Sequence, residues 1–564
     1  MILDDLMNKP KPLIVQSDGS LLLEVMTEGY EQARDAILPF AELLKSPEYV
    51  HTYRITPLSV WNAAAGGLEL EAIIAALEEY SRYALPRGVV QRIQEAWARY
   101  GAVTLERLDA ERLLVRLRHA AIREELKAKP RIAELIVAEA EEGLLIAAET
   151  RGRFKHRLIK LGYPVSDLVG YEVGAPLELS LRQETLKGQA FGLRAYQQEA
   201  VEHFWAGGSA QGGQGVVVLS CGAGKTVVGL GVMARARTET LILCTNVAAV
   251  HQWKRELLDK TDLTEDQIGE YTGQKKEIRP VTLTTYQILT WRRSKTSPFE
   301  HMNLMRARAW GLLIYDEVHV LPAPVFSATT EIQAKRRLGL TATLIREDGL
   351  EGDTYSLVGP KCYDVPWREL EQKGFIATAT CHEIRLPLPA KLEIDYANAG
   401  ERAQYRLAAE NPYKDQVVSE LVQLHGDEQI LIIGQYLDQL KRLSKALKAP
   451  LITGATSNAQ RDELYQSFRD GAVGVLVVSK VANFAIDLPD ASVAIQVSGT
   501  FGSRQEEAQR LGRILRPKTR PANFYSLVTT ATVEEDFAQH RQVFLAEQGY
   551  RYEIEERSLD DFAD

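Results

Sequence analysis

The sequence has few cysteines and no long apolar run. Only four of its 564 residues are cysteine, and they form neither a CxxC pair nor a cluster spacing. The sequence therefore predicts no disulfide framework and no iron–sulfur cluster. No apolar run reaches the roughly 18 residues that a membrane span needs, and the first residues, MILDDLMNKPKP, lack the basic and apolar regions of a secretory signal. We expect a cytoplasmic protein with no membrane contact.

The chain also lacks an excess of positive charge. Its formal net charge is −9, with 67 Lys and Arg against 76 Asp and Glu. Overall charge therefore does not favour nucleic acid, and any grip on DNA must be local. Two basic runs are candidates, RGRFKHRLIK at 151–160 and WRRSK at 291–295, although short charge runs are most often solvated surface.

Two series of short apolar runs indicate the main architecture. The first contains GVVVL, LILCT, VTLTTY, GLLIYDE and RLGLTAT, and the second contains QILIIG, LITG, VGVLVVS, VAIQV and FYSLV. Continuous apolar strands that alternate with helical segments are typical of parallel sheets covered on both faces. The fold class predicted is α/β, with two doubly wound parallel-sheet domains in tandem.

The segments outside those two series read differently. Residues 13–25 predict a hairpin with a turn at 17–20, and the helical spacing of 72–85, 89–100 and 111–129 completes an N-terminal α/β module. A stretch with proline and glycine at about 164–192 predicts a domain junction. The acidic end, YEIEERSLDDFAD, is interpreted as a loose tail.

The segment SCGAGKT resembles a phosphate-binding loop, but Leu219 stands where the usual pattern has its first glycine. It follows an apolar strand and precedes a helical segment, so backbone N–H groups and the helix N-terminus can cradle phosphate oxygens. Leu219 is best read as the end of the strand, because it replaces no group that touches phosphate. In this loop the lysine reaches the β and γ phosphates and the threonine hydroxyl holds Mg²⁺. The predicted nucleotide ligands here are Gly222, Ala223, Gly224, Lys225 and Thr226.

A carboxylate pair follows another apolar strand. Asp316 comes 91 residues after Lys225, at the end of GLLIYD, and Glu317 is next. Ligands of open α/β sheets lie at the carboxyl ends of the strands. We expect Asp316 to orient Mg²⁺ and Glu317 to polarise the attacking water.

A third motif, QRLGRILR at 509–516, comes from the second α/β series. Its arginines recur at about one helical turn, and the fork of an arginine side chain suits a γ-phosphate that develops charge. Alone it is more typical of a basic helix face. With the other two motifs it predicts ATP in a cleft between two domains.

Taken in their order along the chain, these and further motifs resemble those of superfamily 2 helicases, over about residues 190–530. The segments that carry the resemblance are FGLRAYQ, SCGAGKT, TNVAAVHQW, TLTTY, DEVH, LTAT, SKVANFAIDLP and QRLGRILR. Two domains of the RecA type are implied, with ATP and Mg²⁺ as cofactors. By resemblance, Arg194 and Gln197 read the adenine, Asp487 meets the ribose region, and residues 341–343 couple hydrolysis to motion.

The same resemblance makes Arg513 and Arg516 arginine fingers. It narrows further because LTAT runs into Arg346-Glu347-Asp348, which looks like the RED motif of the XPB family of DNA helicases and translocases. The loop would then help to open DNA. Phe484 departs from the small or polar residues usual in its motif, which puts the DNA contact of that motif in doubt.

By this resemblance we divide the chain into four parts. Residues 1–180 form an N-terminal module that engages DNA or damage, 185–370 the first helicase domain, 371–540 the second with a thumb-like helical insertion at about 390–425, and 541–564 the acidic tail. The stretch that suggests the insertion is equally typical of a surface helical hairpin.

The expected function is a 3′→5′ ATP-dependent DNA helicase that acts on forked or partly single-stranded duplex in repair or transcription. No nuclease-like cluster accompanies the motifs, so incision would need a nuclease partner. The alternatives are a duplex translocase without processive unwinding and a lesion-binding scaffold with an ATPase switch. An RNA helicase is disfavoured, because DEVH and QRLGRILR differ from the DEAD-box pattern.

Overall fold

The computed structural model describes most of the chain. The ranges described are 11–45, 49–169, 174–208, 212–220, 222–294, 297, 299–321, 325, 336–342, 351–365, 367–479, 491–499, 510–512, 514, 521–548, 550 and 552–562. The chain divides into two compact units, and the first contains most of the residues up to Val365. Within the described ranges no single helix has the length and apolar character of a membrane span, although the bent helix pair Pro57–Ala65 and Leu70–Tyr80 meets that test jointly.

A small antiparallel sheet of order β1-β2-β4-β3 lies near the N-terminus. Its strands and helices are β1 Leu13–Val15, β2 Ser20–Glu24, α1 Tyr30–Ile37, β3 Glu42–Lys45, β4 Val50–Arg54, α2 Pro57–Ala65, α3 Leu70–Tyr80 and α4 Arg87–Arg99. The predicted hairpin is confirmed. Asp18 accepts the backbone N–H of Ser20 at 2.9 Å, and Gly19 has a φ of 91°, which a residue with a side chain rarely adopts. The helices predicted at 72–85 and 89–100 correspond to α3 and α4.

A second small sheet follows, of order β7-β8-β6-β5-β9. Its elements are β5 Val103–Arg107, β6 Arg112–Leu117, α5 Ala120–Lys127, α6 Pro130–Ala133, β7 Ile136–Ala140, β8 Gly143–Ala147, α7 Arg151–Lys160 and β9 Val165–Asp167. The helix predicted over 111–129 is wrong in its first half, which is strand β6. The three central residues of that strand, Leu113 to Val115, are all buried, so a strand covered on both faces mimics the spacing of a buried helix.

Helix α7 contains the basic run 151–160, and two of the cations in this run are buried. Arg151 and Lys155 are 4% and 6% exposed, and both bind the carboxylate of Asp167, at 2.7 and 2.9 Å. Lys155 also donates to the side chain of Gln214, the first residue of the strand that leads to the phosphate loop, at 3.5 Å. Because these two cations are buried and paired, the run is not the uniformly exposed DNA patch considered above.

We expect Asp167→Asn to loosen this region, since it leaves Arg151 and Lys155 buried without their counter-charge. Breaking a buried ion pair on one side costs about 3 to 5 kcal/mol. Amide hydrogen exchange over α7 and β9, which reports local opening, measures the loss. The matched control is Asp109→Asn, because the pair of Asp109 with Arg112 is half exposed and such pairs contribute about 0 to 1 kcal/mol.

The pH dependence of this effect has a definite sign. Burial opposes the charge of Asp167, but Lys155 and Arg151 outweigh it and lower the pKa of Asp167 to about 2. A folded pKa below the unfolded value means that the stabilisation is present above about pH 4 and declines as the pH falls towards 2. The difference between wild type and Asp167→Asn should therefore narrow below pH 4. An unchanged difference at pH 3 would contradict this assignment.

A parallel sheet of seven strands forms the rest of the first unit, in the order β12-β13-β11-β14-β15-β10-β16. Its elements are α8 Ala195–Trp205, β10 Gln214–Val218, α9 Lys225–Ala236, β11 Thr240–Cys244, α10 Val247–Lys260, β12 Ile268–Tyr271, β13 Val281–Thr285, α11 Tyr286–Leu289, β14 Leu312–Asp316, β15 Arg336–Thr341, α12 Glu351–Leu357 and β16 Lys361–Asp364. All five strands predicted for this domain are present. The sequence pattern missed the short strands β12 and β16, which lie at the two edges.

The second unit contains another parallel sheet of seven strands, in the order β19-β20-β18-β21-β22-β17-β23. Its elements are α13 Trp367–Gln372, β17 Ala379–Leu386, α14 Ala390–Asn398, α15 Glu401–Ala409, α16 Tyr413–Leu424, β18 Ile430–Gly434, α17 Leu437–Leu447, β19 Leu451–Ile452, α18 Asn458–Arg469, β20 Val475–Ser479, β21 Val493–Gln496, β22 Ala522–Thr529, α19 Val533–Glu547 and β23 Tyr552–Glu556. The tandem α/β prediction is confirmed. Helices α14 to α16 occupy the segment predicted to be a helical insertion.

The acidic C-terminal segment is not a loose tail over its whole length. Tyr552–Glu556 is strand β23, which pairs in parallel with β17 from Cys381 to Arg385. Glutamates alternate along it, and the alternating pattern of a half-exposed edge strand was misread as an acidic run.

Candidate nucleotide-binding site

The predicted phosphate loop joins the end of β10 to the start of α9. Gly222 and Gly224 have φ angles of 83° and 78°, so both positions require the conformational freedom of glycine. Leu219 is fully buried and its N–H donates to the carbonyl of Thr341 at 3.0 Å, which continues the pairing of β10 with β15. Leu219 thus follows directly after β10, which ends at Val218, one residue earlier than the sequence predicts. Its apolar side chain belongs to the core, and no glycine is needed there.

Helix α9 begins at Lys225, so the helix N-terminus faces the loop. Lys225 Nζ lies 3.6 Å from Oε1 of Glu317, and the two side chains are 11% and 19% exposed. The structure thus brings together the lysine and the carboxylate that the sequence placed 92 residues apart. A helix N-terminus with a mostly buried lysine beside it is a site for phosphate.

Gln197 lies directly against the loop. It is 4% exposed, and its Oε1 accepts the backbone N–H of Arg194 at 2.9 Å, at the start of α8. A Cβ atom built on Gly224 would come within 2.6 Å of Gln197 Nε2. The close approach places the end of the segment FGLRAYQ directly against the phosphate loop.

Asp316 is the last residue of β14, and two aromatic residues hold it. The indole N–H of Trp253 donates to Oδ2 of Asp316 at 3.0 Å, and the hydroxyl of Tyr286 donates to its backbone carbonyl at 3.0 Å. Burial and then the neighbouring charge of Glu317 raise the pKa of Asp316 to about 6. Raised pKa values of this kind cluster at functional sites.

Glu317 has an unusual backbone. Its φ of 49° and ψ of 57° are left-handed, a conformation that residues with a side chain adopt at a cost of about 1 to 3 kcal/mol. Burial opposes its charge, but Lys225 and then His319 outweigh burial and lower the pKa of Glu317. The carboxylate is therefore ionised at neutral pH, beside a lysine and in a strained turn.

A short polar chain links Glu317 to strand β15. His319 Nδ1 is 2.7 Å from the hydroxyl of Thr341, and that hydroxyl is 3.5 Å from Oε2 of Glu317. His319 and Thr341 are both buried. Glu317 is thereby linked through the hydroxyl of Thr341 to the end of β15.

The oxygen groups at this edge of the sheet fit a magnesium ion. Carboxylate and hydroxyl oxygens are ligands that Mg²⁺ accepts, alongside water and phosphate. A cation beside Asp316 would favour the charged form that burial disfavours. Thr226, the second residue of α9, and Asp316 are the residues that would hold it.

Several predicted residues lie outside the described ranges. They are Thr343, Asp487, Arg513, Arg516 and the RED residues Arg346, Glu347 and Asp348. From the motif QRLGRILR, Arg510 is described. It is fully buried in the second unit and its guanidinium donates to the side chain of Gln496, so Arg510 supports the core and is not exposed to a phosphate.

Sequence reasoning missed Trp253 and Tyr286 as supports of Asp316. Both stand inside segments that resemble helicase motifs, TNVAAVHQW and TLTTY, but nothing in their spacing tells which carboxylate they meet. The sequence pattern predicts that a tryptophan on an amphipathic helix is a core residue. Its N–H donates to Asp316 only because the tertiary structure brings the two residues together.

Comparison with known families gives three matches. ERCC3/RAD25/XPB C-terminal helicase matches residues 370–561, and Type III restriction enzyme, res subunit, matches residues 190–346. Helicase conserved C-terminal domain matches residues 13–141, before both parallel sheets.

Individual relatives match over nearly the whole chain. DNA 3′-5′ helicase XPB of Mycobacterium tuberculosis is 52% identical over 554 residues, which cover 98% of each chain. The protein of the same name from Kineococcus radiotolerans is 51% identical and covers 96% of each chain. General transcription and DNA repair factor IIH helicase/translocase subunit XPB/SSL2 of Saccharomyces cerevisiae is 31% identical over 96% of this chain and 72% of its own length. The chain belongs to the XPB family of superfamily 2 helicases.

Proposed function

We propose that this chain is an ATP-dependent DNA helicase that moves 3′→5′ and opens duplex DNA in repair or transcription. The observation that carries the proposal is the pair of Lys225 and Glu317, 3.6 Å apart beside the phosphate loop. Relatives that match nearly end to end and are named DNA 3′-5′ helicase supply the substrate and the direction.

In this proposal each residue of the site has a separate task. Backbone N–H groups of the loop and the side chain of Lys225 bind the β and γ phosphates. Mg²⁺, held by Thr226 and Asp316, would supply neutralisation of phosphate charge. Glu317 orients the attacking water and accepts its proton. Trp253 and Tyr286 hold Asp316 in position.

We extend the proposal to residues outside the described ranges on the family's motifs alone. Arg513 and Arg516 would stabilise the charge that develops on the γ-phosphate, Asp487 would contact the ribose region, and a nuclease partner would carry out any incision. Residues 346–348 would act on the DNA itself.

We expect Arg346→Ala to reduce strand separation more than ATP hydrolysis, because the RED loop is proposed to act on DNA and not on the nucleotide. Asp348→Ala should behave in the same way. Both rates are measured on one forked duplex, and the ratio of strands separated to ATP hydrolysed should fall at least severalfold. An equal loss of both rates would instead make the loop a part of the motor.

A duplex translocase is the second candidate function. The yeast relative is named a helicase/translocase subunit, so motion along duplex without strand separation is a real alternative. Steady-state ATP hydrolysis is compared with single-stranded, blunt duplex and forked DNA and with an RNA control. Stimulation by single-stranded and forked DNA supports the helicase. Stimulation by blunt duplex alone, with no strand separation, supports the translocase.

A further inference from the structure

Trp291 is a large apolar side chain in an unusual position. It follows α11 in the first parallel-sheet domain, and 45% of its surface is exposed. Its backbone N–H donates to the carbonyl of Ile288 at 3.2 Å, so the end of α11 fixes the backbone at this residue. An exposed tryptophan on an anchored turn presents a rigid flat face to solvent.

Two further rings continue the row from Trp291. The rings of Trp291 and His301 have centroids 5.8 Å apart, and those of His301 and Tyr271 are 5.6 Å apart and nearly perpendicular. The hydroxyl of Tyr271 lies 2.9 Å from His301 Nδ1. Partial burial and the charge of Lys276 lower the pKa of His301, so the imidazole is neutral at physiological pH. Trp291, His301 and Tyr271 thus form an aromatic row in which each ring contacts the next.

A cation lies at the Tyr271 end of the row, and a second lies over a ring in the segment that follows Trp291. Lys276 Nζ lies 4.8 Å from the centroid of the Tyr271 ring, and the guanidinium carbon of Arg292 lies 5.2 Å from that of Phe299. Lys276 Nζ donates to the backbone carbonyl of Thr272 at 2.6 Å, which holds the ammonium group beside the ring. Arg293 pairs with Glu300, at 2.7 Å. The arrangement offers rings for stacking and positive charge for phosphate.

The row lies at the carboxyl edge of the sheet but away from the nucleotide. Tyr271 ends β12, the edge strand, and five strand spacings separate β12 from β10 and its phosphate loop, or about 24 Å. The row is nevertheless joined to the site. Helix α11 begins with Tyr286, which binds the carbonyl of Asp316, and Trp291 follows five residues later.

We propose that Trp291, with His301, Tyr271 and Lys276, forms a stacking platform for an unpaired base of single-stranded DNA. Base–aromatic stacking and a flanking cation are the usual means by which proteins hold a single strand without reading its sequence. This inference rests on the proposed function, because it assigns that function's DNA to a particular surface. It also means that only the short chain segment of α11 separates the bound DNA from Tyr286, which contacts Asp316.

The test compares Trp291→Ala with Trp291→Phe in the full chain. We measure the anisotropy of a fluorescent oligothymidine and the DNA concentration that gives half-maximal ATP hydrolysis. The stacking energy of a base on an aromatic ring corresponds to a loss of about tenfold in affinity on substitution by alanine. We expect that loss for Trp291→Ala, a smaller one for Trp291→Phe, and a maximal rate at saturating DNA close to wild type.

An oligonucleotide of the same length with abasic sites separates stacking from charge. It should bind the wild type more weakly than oligothymidine, whereas Trp291→Ala should bind both alike. Leu559→Ala, which removes another large apolar side chain of similar exposure, is the control and should bind like wild type. Unchanged affinity in Trp291→Ala, or an equal loss on both oligonucleotides, would overturn the platform. If no DNA stimulates the wild type, the proposed function fails instead.

Discussion

Lys225→Ala should reduce ATP hydrolysis by at least about a hundredfold. The lysine begins α9 beside the phosphate loop and is mostly buried, so no other side chain of the loop can supply its charge. Removing one preorganised group that stabilises transition-state charge typically costs about 10² to 10³ in rate. Steady-state phosphate release in the presence of single-stranded DNA measures the effect.

The control for this variant is Arg235→Ala, which removes a cation from the same helix. Arg235 is 51% exposed and pairs only at the surface with Glu202, at 3.3 Å. It should hydrolyse ATP like wild type. Thermal unfolding of both variants distinguishes a lost phosphate ligand from a lost fold. Hydrolysis at the wild-type rate in Lys225→Ala would show that the phosphate site lies elsewhere.

Glu317→Gln should abolish hydrolysis while ATP still binds. The amide keeps the size and the strained left-handed backbone of Glu317, but it cannot accept a proton from the attacking water. Because Lys225 and His319 help to keep the carboxylate ionised, the group is present as a base at neutral pH. Hydrolysis should fall about 10² to 10⁴-fold, and the affinity for a fluorescent ATP analogue should change little.

Glu202→Gln is the matched control, because it makes the same chemical change at an exposed position on α8. It should leave both hydrolysis and nucleotide affinity at wild-type values. A Glu317→Gln variant that neither binds nor hydrolyses ATP would point to a structural role for Glu317. A variant that hydrolyses ATP normally would remove Glu317 from the mechanism.

The architecture of the two parallel-sheet domains could be predicted because their strands are short continuous apolar runs. Burial on both faces leaves little else in such a strand, so the pattern is strong. The pattern failed for strands in which the spacing of apolar residues does not match the burial usual for a strand. Strand β6 is apolar at successive positions, which the pattern of a buried helix also allows. Strand β23 alternates with glutamates, which resembles an acidic tail.

The residues of the nucleotide site that belong to local sequence motifs could be predicted. Lys225, Asp316 and Glu317 stand in motifs whose chemistry is visible in the sequence, and the fold brings Lys225 and Glu317 together. The partners of these residues were not predictable. Trp253 reaches Asp316 from another helix, and Lys155 meets Asp167 across a turn, so both contacts depend on tertiary packing.

Strand displacement from tailed duplexes tests whether this chain opens DNA in the 3′→5′ direction. One labelled strand is annealed to leave a 3′ tail, a 5′ tail or no tail, and its release is followed with ATP and Mg²⁺, with Lys225→Ala as the inactive reference. A 3′→5′ helicase should release the strand from the 3′-tailed duplex and not from the 5′-tailed or blunt duplex. Release from the 5′-tailed duplex alone, or ATP hydrolysis with no release from any substrate, would contradict the proposed function.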